Sequence, residues 1–352
     1  MTSAPITRLG SIQALRAIAA LMVVAIHIQA NELRLGDPVL SPWLYHGVAG
    51  VDLFFVISGF IMVHVTRGRF DTAGQPQRFL WDRLWRIYPP ALLFTFLTLM
   101  ALMAAGTVGD WLPQTDLLAS FLLLPQEGEP LLGVAWTLTH ELYFYLVFCA
   151  LLVLKERWLP IGLTVWGSLI AIGLASGISR ESGPWLVVAF HPHTYEFIFG
   201  AFAGLAYHRG WIRIPALILA AGIAALMAGA LWIGLRTPEN YPLFWGRVLA
   251  FGPASVLIVA GIAGLEQRGQ LRFPDWSQRI GDWSYSLYLS HVLVIVTLTH
   301  LWLPRAMPGP IDNLALIFAM LAGSLIVSAL AYYVYERPAL ALGKRLRRTA
   351  LK

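Results

Sequence analysis

Two residues on one expected helix are spaced for joint work. Arg16 and His27 lie eleven positions apart, which at 100° per residue is 20° past three full turns, so they share a face about 16.5 Å apart along the axis. A guanidinium binds phosphate or carboxylate, and an imidazole, neutral near pH 7, accepts a proton. Each also has a structural reading, Arg16 as a snorkelling anchor and His27 as a hydrogen-bonded packing residue. Asp52, Glu141 and Glu196 enter three other apolar stretches. Each sits roughly 9 to 12 Å below the surface that the charge pattern below assigns to the outside, near the depth of His27, which is about four residues from the outer end of its own stretch. Ionisable groups at bilayer depth are costly and mark function. Four of them at one depth point to a shared cavity, although Asp52 and Glu196 fit carboxylates satisfied by Tyr, Ser or backbone groups equally well. On the other side, FLWDRLWRIYPP (residues 79–90) carries Arg83 and Arg86 three apart on one face, a pair suited to phosphate. Its interleaved Trp81 and Trp85 also suit an interfacial helix lying along the headgroups. No metal site is expected: His191 and His193 are separated by Pro192, and no His-x-x-x-His pair has acids nearby. A Gly-rich phosphate loop and a serine nucleophile elbow are both missing.

These residues need helices that cross a membrane. Of 352 residues, 58% are hydrophobic and only 12% charged, about half the usual charge of a soluble domain, and the mean hydropathy is +0.67. An ordinary cytosolic protein is excluded. The formal charge of +6 would raise nucleic acid in a soluble chain, but here bases mark cytoplasmic loops and no nucleic-acid partner is expected. The single cysteine, Cys149, rules out an internal disulfide and a thiolate metal site.

Apolar stretches fall at roughly 12–31, 46–66, 87–106, 133–154, 158–176, 190–207, 213–234, 244–264, 282–302 and 312–335. The expectation is an all-α, polytopic bundle of about ten transmembrane helices. It forms one domain over 1–352, embedded from about 12 to 335, with a basic tail (336–352) anchored at anionic headgroups. Twenty Lys and Arg fall in one set of alternate loops, and five (Arg34, Arg180, Arg236, Arg247 and Arg305) in the other. That split predicts both termini in the cytoplasm. The outer loop 107–132 holds Asp110, Asp116, Glu127 and Glu129 and no base.

The blocks IQALRAIAALMVVAIHI (12–28), GVDLFFVISGFIM (50–62), FLWDRLWRIYPP (79–90), WTLTHELYFYL (136–146), GDWSYSLYLSH (281–291) and YYVYERP (332–338), in that order, resemble the membrane-bound acyltransferase family 3. That family includes O-acetyltransferases of exopolysaccharide and O-antigen. The resemblance spans nearly the whole chain. It implies that Arg16 and His27 are the family's Arg, ten residues, His motif, that Arg83 and Arg86 are its Arg-x-x-Arg motif, and that Glu141 is its acid after Trp-Thr-Leu. His140 stands where many members have Val. The family takes acyl groups from cytoplasmic acyl-CoA and delivers them to an acceptor on the outer side.

The resemblance and the residues together predict a transmembrane O-acyltransferase, most simply an O-acetyltransferase, of the bacterial inner membrane. Arg83, Arg86 and Arg16 hold the phosphates of acyl-CoA, and His27 is general base on a hydroxyl of a surface glycan or lipid-linked sugar. Glu141 orients His27, while Ser58, Tyr285, Tyr288 and His291, nearer mid-membrane, are weaker candidates to donate to the thioester oxygen. An acyl-enzyme on His27 or Ser58 stays open. Alternatives are an acyltransferase acting on a small secreted molecule and a proton-linked transporter or flippase. Against the transporter, no inverted repeat and no matched pair of interrupted spans is present.

Overall fold

The computed structural model describes residues 8–35, 38–107, 109, 115–235, 245–307 and 309–350. Asp110 and Arg236, used above for orientation, lie outside them. The regular elements among the described residues are helices, with no strand. In chain order the helices are α1 (Gly10–Glu32), α2 (Ala49–Thr66), α3 (Gln75–Ala104), α4 (Leu117–Leu122), α5 (Trp136–Leu151), α6 (Leu159–Ala175), α7 (Pro184–Ala189), α8 (Thr194–His208), α9 (Pro215–Ile233), α10 (Trp245–Gln267), α11 (Asp275–Trp302), α12 (Pro310–Ala331) and α13 (Arg337–Ala350). Among the described residues, nine helical stretches are long and apolar enough to cross a bilayer, so the chain is a polytopic membrane bundle. The stretch expected at 190–207 is α8, whose 15 residues span about 22 Å, short of a hydrocarbon core of about 30 Å.

Two elements run past their expected limits. The aromatic and basic segment 79–90 does not lie apart from the span that follows. It is the first part of α3, one 30-residue helix that passes through Pro89 and Pro90. Each proline lacks an N–H, so the carbonyls of Trp85 and Arg86 lose their helical donors. At the other end, α12 continues through a π-helical turn at Tyr332–Glu336 into α13. The wider turn relieves the clash that the Pro338 ring would make with the Val334 carbonyl in a regular helix.

The chain divides into two compact units, one holding residues 58–205 and 334–352, the other 8–57 and 206–333. In the second unit α1 packs along α11, and α9 along α10. Gly281 lets α11 approach α1 closely, since a Cβ there would strike the Gln13 carbonyl; small residues permit such backbone contact. The Glu266 carboxylate caps α1, accepting from the backbone N–H of Gly10 (2.8 Å) and Ser11 (3.0 Å) and from the Ser11 hydroxyl. A carboxylate satisfies the orphan donors and the positive end of the helix dipole together, and so fixes the helix that carries Arg16 and His27. α9 turns Leu217, Ile223, Met227 and Leu231 outward, the surface a lipid-facing helix presents.

In the first unit Phe144 of α5 packs on Phe197 of α8, with ring centroids 4.7 Å apart. Gly59 lets α2 approach the Phe197 carbonyl. The basic tail is helix α13, docked on α3. Trp81 Nε1 donates to the Gly343 carbonyl at 2.9 Å and Arg347 pairs with Asp82, while Arg337, Lys344, Arg345 and Arg348 stay exposed.

Candidate active site

In the second unit α1 and α11 bring two imidazoles together. His27 Nδ1 is 2.8 Å from the Val23 carbonyl and 3.2 Å from His291 Nε2, and the rings meet edge to face with centroids 4.8 Å apart. His291 Nδ1 is 3.0 Å from the Leu287 carbonyl. A carbonyl only accepts, so each Nδ1 carries hydrogen. His291 Nε2 is then an acceptor facing the His27 N–H, and the lone pair of His27 is on Nε2. That atom has no hydrogen-bond partner among the described residues. The arrangement is that of a base held in one tautomer and orientation, with a second imidazole to share its proton. In this state His291 has no N–H left for a thioester oxygen, and its contact is with His27. Tyr288 lies beside it at 6.0 Å between centroids, and Tyr285 is buried one turn earlier. Arg16 is half-buried on the same unbroken helix as His27.

Asp52 is buried in the same unit and takes Arg247 Nε at 2.9 and 3.2 Å on its two oxygens. The Arg247 guanidinium also reaches the Val48 carbonyl at 3.4 Å. Arg247 is therefore a buried residue of α10 and not the outer-loop base that the charge count made of it. The proximity of its number to the end of a loop conceals that only two residues of α10 precede it.

The first unit holds a different cluster. The Ser58 hydroxyl in α2 donates to Glu141 Oε1 in α5 at 3.0 Å, and the Tyr145 hydroxyl donates to the same oxygen at 2.5 Å. The Arg83 guanidinium lies over the rings of Phe79 and Tyr145, 5.7 Å from each centroid. Its Nε is buried with no hydrogen-bond partner among the described residues, a donor still open to an anion. Arg86, one turn on, is held by the buried Glu336 at 3.6 Å. Glu196 takes His193 Nδ1 at 3.1 Å. His193 stacks on His191 with centroids 4.8 Å apart, and His191 lies 4.5 Å from His140. Thus Glu196 belongs to a buried imidazole cluster.

The acyltransferase domain family model matches residues 9–333. The chain belongs to the acyltransferase 3 family. It is 33% identical over 320 residues to the exopolysaccharide production protein ExoZ of Rhizobium meliloti, covering 86% of this chain and 93% of that protein. It is 28% identical over 400 residues to the acyltransferase MdmB of Streptomyces mycarofaciens, covering 98% and 95%. The peptidoglycan O-acetyltransferase OatA of Listeria monocytogenes is 23% identical over 370 residues, covering 93% of this chain and 55% of that protein. No solved structure matches. As a member of this family the protein is an O-acyltransferase embedded in a membrane by several spans.

For this acyltransferase 3 member, the structure joins Glu141 to Ser58 and joins His27 to His291. Four residues that sequence reasoning did not place at the site make polar contacts with its candidates: Arg247, Glu336, Tyr145 and His193. Glu336 and Tyr145 sit inside the quoted blocks YYVYERP and WTLTHELYFYL, and Tyr145 is four residues from Glu141, the spacing of helix neighbours. His193 is three from Glu196, the same signal. Arg247 had no such local partner, since its acid is 195 positions away.

Proposed function

We propose that the protein moves an acyl group, most simply acetyl, from cytoplasmic acyl-CoA to a hydroxyl of a surface glycan or lipid-linked sugar. In this reading it works in the bacterial inner membrane with both termini in the cytoplasm. The observation that carries it is the pair of contacts at His27 Nδ1, to the Val23 carbonyl and to His291 Nε2, which leaves Nε2 as the proton acceptor. His27 Nε2 takes the proton of the acceptor hydroxyl as that oxygen attacks the acyl carbonyl. The charge that develops on the ring is shared through Nδ1–H with the Val23 carbonyl and His291. The relatives' names, exopolysaccharide production and peptidoglycan O-acetylation, favour a glycan acceptor over a small secreted molecule. No metal takes part in the proposed chemistry.

Arg83 and Arg86, with Arg16, hold the phosphates of the donor. A charge-assisted hydrogen bond contributes about 1.5–3 kcal/mol. The Arg83→Ala, Arg86→Ala double variant should therefore raise KM for acetyl-CoA at least about tenfold, with a smaller change in KM for acceptor. An effect on acceptor alone would remove the phosphate role. For orientation, single cysteines at Thr72 and Gly128, both exposed, in a Cys149→Ala background should label from the cytoplasm and from outside respectively. The reverse pattern would overturn the topology.

The test of the reaction is purified protein in lipid with acetyl-labelled acetyl-CoA and glycan fractions from the source cells. Label should pass to glycan. Comparing surface polysaccharide from cells with and without the gene should show acetyl signals lost from the NMR spectrum. Wild-type inertness with every fraction would sink the reading and return attention to transport.

A further inference from the structure

Many hydroxyls in these helices bond a carbonyl three or four residues back in their own helix. Thr66, Thr98, Ser284 and Thr299 do so. Ser58 does not. Its proton points across to another helix, to Glu141 Oε1 at 3.0 Å, so the partner is a proton-accepting carboxylate and not a carbonyl. Tyr145 donates to the same oxygen, which fixes the carboxylate against the serine. Ser58 is nearly buried while Glu141 is only half-buried, so the pair is enclosed yet open on one side. Arg83 stacks on the Tyr145 ring. One chain of contacts, Arg83 to Tyr145 to Glu141 to Ser58, therefore links the phosphate anchor to a hydroxyl with its own base inside a single unit.

We propose that Ser58 is a nucleophile that carries the acyl group as an ester between donor and acceptor, with Glu141 as its base. This rests on the acyl-CoA reading above. In the first step Ser58 Oγ attacks the thioester carbonyl carbon while its proton passes to Glu141. The C–S bond then breaks, and the thiolate takes that proton and leaves as free thiol. In the second step the acceptor hydroxyl, deprotonated as proposed above, attacks the Ser58 ester. The bond from the acyl carbon to Ser58 Oγ breaks, and the serine oxygen takes back the proton that the acceptor gave up, restoring both side chains. The sum is acyl transfer with no net proton and no other reactant. An activated nucleophile with its base in hydrogen-bond reach is the signature of such covalent relays.

The test uses full-length protein in lipid with acetyl-labelled acetyl-CoA and no acceptor. After acid quench and digestion, the peptide containing Ser58 should carry the label, hydroxylamine should remove it, and thiol release should show a burst equal to the enzyme present. Ser58→Ala should abolish burst and label. Glu141→Gln should slow the burst by about 10²-fold or more, and it serves as the second variant should Ser58→Ala not fold. His27→Ala should still trap label on Ser58 and fail to pass it to acceptor. Label on another residue, or wild-type transfer without a burst and Ser58→Ala transfer within about tenfold of it, would overturn the proposal while leaving the acyltransferase reading intact. Wild-type inertness toward acetyl-CoA with acceptor present would overturn the donor reading, and the relay with it.

Discussion

His27→Ala should lose about 10²–10⁴-fold in kcat for transfer to acceptor, with correctly folded protein and little change in KM for acetyl-CoA. The loss is expected in kcat because the imidazole acts on the proton that moves in the transition state, not on the donor's phosphates. The Val23 carbonyl and His291 hold the ring so that Nε2 bears the lone pair, and removing His291 should disturb this without removing the base. His291→Ala should therefore cost up to about 10²-fold through misplacement. His291→Gln, whose side-chain oxygen can accept the His27 N–H, should recover much of it. A packing role alone would predict no such difference between Ala and Gln at equal thermal stability. Transfer by His27→Ala within about tenfold of wild type would remove His27 from the reaction.

Asp52→Ala should destabilise the fold by about 3–5 kcal/mol, the cost of leaving Arg247 buried without its carboxylate. Stabilities of about 5–15 kcal/mol are ordinary for domains, so the variant should show a large drop in thermal midpoint in detergent or fail to accumulate. Asp52→Leu combined with Arg247→Leu removes both charges and should recover most of the midpoint, since a buried ion pair is often replaceable by apolar side chains. Activity of the double variant then separates the roles. Folded and active protein makes the pair structural, as the geometry reads. A wild-type midpoint in Asp52→Ala with activity lost would assign Asp52 to the chemistry instead.

The membrane bundle was legible because apolar runs of bilayer length need no knowledge of what they pack against. The ends of the runs were less so. Arg83 and Arg86 begin a helix that Pro89 and Pro90 do not stop, and the YYVYERP block continues as helix past Pro338, because a π turn absorbs the clash that would end a regular one. Contacts between helices far apart in sequence were not legible. Helical phase put Arg16 and His27 on one face, but nothing along α1 names His291, 264 positions away. Glu141 was singled out as the acid meant to orient His27, and its partners in the structure are Ser58 and Tyr145. Asp52 and Arg247 were each read alone, one as chemistry or a satisfied carboxylate and one as a topology marker, and only their mutual contact shows why both are tolerated in the membrane. Single residues at depth thus identify candidates, while their pairing depends on which helices touch.

In the proposed reaction acyl donor and acceptor meet this protein from opposite sides. Sealed vesicles with oriented protein would be given labelled acetyl-CoA on the side of the termini and soluble glycan acceptor on the other. Label should reach the glycan in this arrangement, depend on His27, and stop when donor and acceptor are both placed on the side away from the termini. Equal transfer with both substrates on that side, or none in the opposed arrangement from protein that transfers in open bilayers, would contradict it.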